Sequence, residues 1–455
     1  MSRNSAARLR SSYVLPIIVF LLVTVCLCSA AAAQEAENSG ENAVSISYSG
    51  SGGYRMVERT DLSRYLNGTY TGLTRREVRS FIDMLPSPAN APQQYAGTFY
   101  VLEETIRNNS IAAQGVSGMI PSAFSISPNG TMQISEDNGY PSFRGFPAYP
   151  VAGVHPGAAW QAEAIRSVDP LNKGIPTKMT ILVAYEYVGE NVWNDRPIYH
   201  IKAKWATRYR DRDRYGDPDL LDAAGSHSAD IYTDQETGAA LLVRDVVDET
   251  FTYMDKTTVR YRGSILLFTE FPPMIDRGLV VSAFGRAAGA AVASTAATSA
   301  APAGTGTVGS ASSGSSGSGS ASRLIAEGTG NNSGLLIEEV PEGLRLSVRN
   351  IRFEADSDKI LPGERWRLDA IAEVLSSAQG AVFLVEGHTA ATGNPAGEKD
   401  LSVQRAKRIA DELSLRGIPA DSFLYAGHGG ERPIAANDTE EGRAQNRRVE
   451  ITILE

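Results

Sequence analysis

Residues Glu386–Arg408 read EGHTAATGNPAGEKDLSVQRAKR, a glycine-rich loop that runs into a helix. Gly387, Gly393 and Gly397 supply the turns, and Leu401-Ser402 leads into a helical stretch carrying Arg405. An arginine held near the start of a helix suits a carboxylate ligand. The residues before it, His388-Thr389-Ala390-Ala391-Thr392, offer no acid for an ammonium group. The stretch also fixes what flanks it. Val382–Glu386 reads as a buried strand, and Ser402–Arg416 as a helix closed by Gly417.

Outward from that point the periodicity alternates between strand and helix. Leu344–Phe353 reads as a strand, and Pro362 opens a helix with Leu368, Ile371, Ala372 and Leu375 at helical spacing. Phe423–Ala426 and Val449–Leu454 complete a βαβαββ unit, an α/β sheet with helices on one side.

In order along this unit stand GHT (Gly387–Thr389), LSxxRA (Leu401–Ala406), Gly417-Ile418 and GxG (Gly427–Gly429). The series closes on P-x-x-x-N-x-T-x-E-G-R-x-x-N-R-R-V, Pro433–Val449. With Phe353 in the early strand, it resembles the OmpA-like C-terminal domain family over residues 335–455. The resemblance implies non-covalent binding of peptidoglycan at the diamino acid of its stem peptide. In the family, the residue after GHT is an aspartate that holds the ligand's ammonium, and the arginine of LSxxRA holds a carboxylate. An asparagine three residues before the LS leucine and the first arginine of NRRV frame the pocket. Carried over position by position, Thr389, Arg405 and Arg447 are retained, whereas the aspartate position is Ala390 and the asparagine position is Glu398. Losing a charge-assisted partner costs roughly 1.5–3 kcal/mol, about 10- to 100-fold in affinity. Glu398 offsets part of that loss if its carboxylate reaches the ammonium. An ion pair of Arg405 with Glu398 or Asp400 would instead fill the site without ligand.

Upstream, Ala287–Ser322 is nearly all Ala, Gly, Ser and Thr. Such a segment buries too little surface to repay ordering and is expected to be a flexible linker, with an r.m.s. reach of roughly 30–36 Å. Its G-x-G-x-x-G, Gly304–Gly309, follows no strand and opens no helix, so it is no dinucleotide site. Residues 34–286 read as β-rich antiparallel sheets with few helices. Thr74-Arg-Arg-Glu77 has the form of a capping box and predicts a short helix with Val78, Phe81, Ile82 and Leu85 on one face. Phe124–Ile134 carries an Asn-Gly hairpin signal. Prolines between Pro141 and Pro156 mark a boundary between a domain at 34–150 and an antiparallel meander at 151–286. In the meander, Tyr199, Ile201, Ala203, Trp205 and Tyr209 share one face, and His200, Lys202, Lys204, Arg208 and Arg210 the other. Five or six such strands fit a soluble sheet with a solvated charged face better than a membrane barrel, which needs at least ~8.

The N-terminus bounds the compartment. Arg3, Arg8 and Arg10 precede a short apolar run from Val14 to Val25 and an alanine cluster ending at Ala33, the pattern of a secretory signal peptide over residues 1–33. The chain is therefore expected to be exported and periplasmic or outer-membrane-associated. The only two cysteines, Cys26 and Cys28, lie inside this segment behind Val25 and Leu27, which disfavours a lipid anchor. A net charge of −9 with no basic block argues against nucleic acid. No catalytic triad order, zinc signature or phosphate loop stands in the 455 residues, so neither enzyme activity, metal nor cofactor is expected. Two function classes remain. One is an envelope protein that docks weakly on the peptidoglycan stem peptide. The other is an OmpA-like scaffold that has lost this ligand and holds other envelope proteins. A ligand- or lipid-binding middle β domain is the remote third.

Overall fold

The computed structural model describes residues 43–50, 52–88, 91–102, 113–210, 216–272, 275–289, 322–328, 334–349 and 351–455. The expected signal peptide, and residues 290–321 of the expected linker, lie outside them.

The first half of the chain forms one antiparallel sheet. Its strands are β1 (Tyr54–Leu66), β2 (Thr69–Leu85), β3 (Gln93–Leu102), β4 (Gln114–Ile126), β5 (Met132–Glu136) and β6 (Phe143–Arg144). They are followed by β7 (Ala159–Val168), β8 (Thr177–Trp193), β9 (Arg196–Arg210), β10 (Leu220–Asp234), β11 (Ala240–Tyr253) and β12 (Thr258–Glu270). Neighbouring strands pair in chain order except at two places: β12 returns to pair with β1, and β5 forms no ladder with β6 among the described residues. The sheet is therefore open between β5 and β6. It curls, so that Ile181, Val183, Ile201, Ala203, Trp205 and Phe251 of one half share an interior with Leu62 and Phe143. The boundary expected near residue 150 does not divide two sheets, because the β1–β12 ladder joins both parts over the length of β1. Along β9 the expected faces appear: Ile201, Ala203, Trp205 and Tyr209 are buried, and Lys202, Lys204, Arg208 and Arg210 are exposed.

The helix expected from Thr74 is not formed. Those residues lie in β2, paired with β1 from Thr69 to Ile82 and with β3 from Val78 to Leu85. The cause is burial on both faces. Val78 and Ile82 point into the curl, while Phe81 points outward against Leu384, Leu424 and Leu454 of the C-terminal domain. An apolar residue on each face removes the alternation that marks a strand and leaves a helix-like spacing. The Asn129-Gly130 hairpin does form, with Gly130 at φ 81 and Ile126 opposite Met132.

The C-terminal sheet holds β13 (Arg323–Glu327), β14 (Leu335–Val340), β15 (Gly343–Arg349), β16 (Val382–Gly387), β17 (Phe423–Gly427) and β18 (Arg448–Leu454). Its order is β13-β14-β15-β18-β16-β17, with β16 and β17 parallel and the other pairs of this series antiparallel. Three helices cover one face: α1 (Arg277–Ala288), α2 (Arg365–Ser376) and α3 (Pro395–Ser414). Val280 and Phe284 of α1, Leu368 and Ile371 of α2 and Ile409 and Leu413 of α3 share a core with Phe383, Val385 and Ile451. A short α4 (Glu440–Asn446) precedes β18. By packing, α1 and β13 belong to this unit, which thus begins well before residue 335. The other face of its sheet rests on β2 and β3 through Phe81, Tyr100 and Leu102. At the edge, β17 pairs with the start of β4, Leu424 opposite Gln114.

Candidate functional site

Helix α3 builds the wall of the site. Asn394 caps it, its side-chain oxygen accepting from Gly397 N at 3.2 Å, and Pro395 occupies the first turn. The helix therefore starts well before Ser402 and takes Glu398 into its first turn. Two glycines let it lie close against the sheet. A Cβ on Gly387 would stand 2.2 Å from Ser402 O, and one on Gly427 2.2 Å from Ser402 Oγ. Ser402, wholly buried, accepts from Gly429 N at 2.9 Å and donates to Lys399 O at 2.7 Å. The glycines of the GHT and GxG motifs are thus steric requirements of this contact.

An open cleft of about 490 Å³ lies along the start of α3, lined by Asp356, Thr389, Ala390, Glu398, Arg405 and Arg447 among others. All five positions singled out in the sequence meet here. Thr389 is buried, its N–H donating to Gly429 O at 2.9 Å, and its hydroxyl has no hydrogen-bond partner among the described residues. Ala390 is buried and places a methyl group at the position of the family's acid. Glu398 lines the cleft with one of its carboxylate oxygens committed to the loop. Its Oε1 accepts from Thr392 N (2.5 Å), Thr392 Oγ1 (2.9 Å), Gly393 N (3.0 Å) and Asn394 N (3.2 Å). These bonds, the Thr392 N–H first, hold its carboxyl below the usual value. The glutamate closes the loop through Oε1 alone.

Arg405 forms no ion pair among the described residues. Its Nε donates to Ser357 O at 3.0 Å, and its guanidinium lies 4.7 Å from the Phe353 ring centroid. The expected alternative, in which Glu398 or Asp400 neutralises it, is not adopted. Burial lowers its pKa; Asp356 and Asp358 oppose that shift and Arg447 adds to it. Arg447 itself is bridged to Glu440 at 2.6 Å. Asp356, which the sequence reading missed, reaches the cleft from the turn after β15, at φ 48. Nothing in its local sequence marks it, since only the fold brings that turn to α3.

Asn446, the last residue of α4, accepts from Ile434 N (2.8 Å) and Ala435 N (3.0 Å), tying the loop before α4 to the end of that helix. His388 and His428 stack at 5.1 Å, and His428 Nε2 bonds Glu386 Oε1 at 2.7 Å. Burial, with nearby Arg448, pushes His388 down to about 2, so it is neutral. The pair is part of the packing under the loop.

The arrangement presents one unpaired guanidinium to a cleft with acids on its rim, a layout fit for a carboxylate. Residues 352–447 match the family model described as the OmpA family. The C-terminal domain is OmpA-like. The OmpA-like segment is 40% identical over 103 residues to the peptidoglycan-binding protein ArfA of Mycobacterium tuberculosis, covering 23% of this chain and 32% of that protein. It is 38% identical over 104 residues to the probable lipoprotein YiaD of Escherichia coli, covering 23% of this chain and 48% of that one. The chain thus spans about a third to a half of the length of these relatives. Among solved structures, the periplasmic domain of Helicobacter pylori MotB matches at 27% identity, over 27% of this chain and 82% of that one, with a TM-score of 0.25. Each of these matches covers about a quarter of the chain.

Proposed function

We propose that this is a non-enzymatic, exported cell-envelope protein whose OmpA-like domain associates non-covalently with peptidoglycan. The observation that carries it is the unpaired Arg405 guanidinium facing the cleft beside Thr389 and Arg447. Arg405 takes the carboxylate of the stem peptide's diamino acid. Its ammonium meets the methyl group of Ala390 and only the exposed acids Asp356 and Asp400, so the association is weak. The outward charges Lys202, Lys204, Arg208 and Arg210 support a curled sheet in water. At the bilayer midplane each lipid-facing cation would cost about 2–4 kcal/mol.

Retention of the full chain on purified sacculi at low salt tests this. Wild type is expected to sediment with sacculi and Arg405→Ala to lose roughly 10- to 100-fold in affinity. Ala390→Asp is expected to strengthen retention. Wild type that stays in the supernatant, while Ala390→Asp also fails to bind, would sink the proposal.

A second reading has its own observation. The face of the OmpA-like sheet opposite its helices is covered by β2 and β3, and Arg55 donates to Gly380 O (3.1 Å) and Leu454 O (3.2 Å). In that reading the OmpA-like unit serves as a platform for the curled sheet, and sacculus retention is absent in every variant.

A further inference from the structure

The curled sheet holds an open-mouthed cavity of about 440 Å³, within the range of roughly 300–1,000 Å³ typical of small-molecule sites. Its walls come from both halves of the sheet, β1 to β4 on one side and β7, β11 and β12 on the other, and it opens beside the Asp169–Gly174 turn. Phe143, Phe251, Tyr261 and Ile265 give it an apolar body.

Its floor is charged and buried. Arg166 grips Glu249 through both terminal nitrogens, with Nη2 to Oε1 at 2.7 Å, and His227 Nδ1 bonds Asp245 Oδ2 at 2.7 Å. Burial alone would raise the Glu249 carboxyl, but Arg166 and His227 hold it down at about 2. Each cation of this cluster therefore has its own acid. Glu58 does not. It is 9% exposed, lines the cavity, and accepts one hydrogen bond, from Ser142 Oγ to its Oε2. No cation lies within ion-pair distance of it among the described residues. Arg166 is near enough to feel its charge, but that guanidinium is taken by Glu249. Arg76, diagonal to it across the β1–β2 ladder, turns to the Tyr140 hydroxyl instead. A carboxylate on a cavity wall with a single hydroxyl donor and no cation of its own is a ready acceptor for a charged donor.

We infer that this cavity binds a small amphipathic ammonium compound, its charged head on Glu58 and its apolar body against Phe143, Phe251 and Ile265. The site is separate from the cleft of the OmpA-like domain and independent of peptidoglycan.

The probes are phenethylamine and its acid counterpart 3-phenylpropionate, titrated into the full chain by calorimetry. Phenethylamine is expected to bind saturably and 3-phenylpropionate not to bind. Glu58→Gln is expected to weaken phenethylamine roughly 10- to 100-fold. Gly118→Leu supplies a second variant should Glu58→Gln fail to fold. A Cβ on Gly118 meets only Val101 at 3.7 Å and Ile120 at 4.0 Å, ordinary contacts, so a leucine enters the cavity without displacing backbone. It is expected to abolish binding while circular dichroism stays unchanged. No saturable phenethylamine binding, equal binding by folded Glu58→Gln, retained binding by Gly118→Leu, or 3-phenylpropionate binding as well as the amine would each overturn the inference.

Discussion

Glu398 and Arg405 sit two turns apart on α3 and do opposite work. The glutamate accepts four donors from the loop it closes, while the arginine keeps its charge for the cleft. The glutamate's role carries a pH signature. Its carboxyl is held below the ordinary 4.5 in the folded chain, so its contribution is present above that value and is lost as pH falls through the lower folded one. The stability gap between wild type and Glu398→Gln, read from urea midpoints, should therefore be largest at neutral pH and shrink below 4.5. A gap that does not change with pH would mean that the loop does not depend on the charged form. The sequence placed both residues in one site but left the direction of Glu398 open. Its carboxylate could reach either an ammonium or the loop, and in the structure its Oε1 is taken by the loop.

At the scale of elements, α3 and β2 teach different things. The closeness of α3 to β16 and β17 is written in Gly387 and Gly427, whose missing side chains make room for Ser402. Gly387→Ala should destabilise the chain by about 1–3 kcal/mol through overpacking, measured as a lowered urea midpoint. A midpoint unchanged from wild type would show that α3 has slack against the sheet. β2 carries a helix-like pattern because its second face is covered by residues far along the chain. Phe81 is apolar for the sake of Leu384, Leu424 and Leu454, so its local pattern mimics a helix. No reading of Thr74–Leu85 alone could separate the two, since the deciding contacts lie about three hundred residues away.

On the scale of the molecule, the low-complexity segment does not separate the two sheets as its composition implied. Helix α1, just before it, packs into the core of the OmpA-like domain, and Arg277 bridges Glu455 at 2.7 Å and Glu339 at 2.8 Å. Arg79 adds a bond to Asp421 O at 3.3 Å. A chain cut at a protease site inserted between Ala288 and Arg323 should therefore elute as one species on size exclusion. Fragments that part at neutral pH and low salt would show that the contacts of α1, Phe81 and Arg55 do not hold the halves together.

By itself the sequence determined the OmpA-like domain, its βαβαββ order and the positions of Thr389, Ala390, Glu398, Arg405 and Arg447. The element order rests on local periodicity, and the domain and its site positions rest on the resemblance carried by motifs that stand in order along the chain. Only the tertiary structure decided that twelve strands form one curled sheet, that Phe81 serves an interface, and that Glu58, Arg166, His227 and Glu249 gather in its interior. Those four residues come from β1, β7, β10 and β11, and on each strand they occupy the inward positions where apolar residues also stand. Alternation reports which way a side chain points; it does not report which distant strand it will meet.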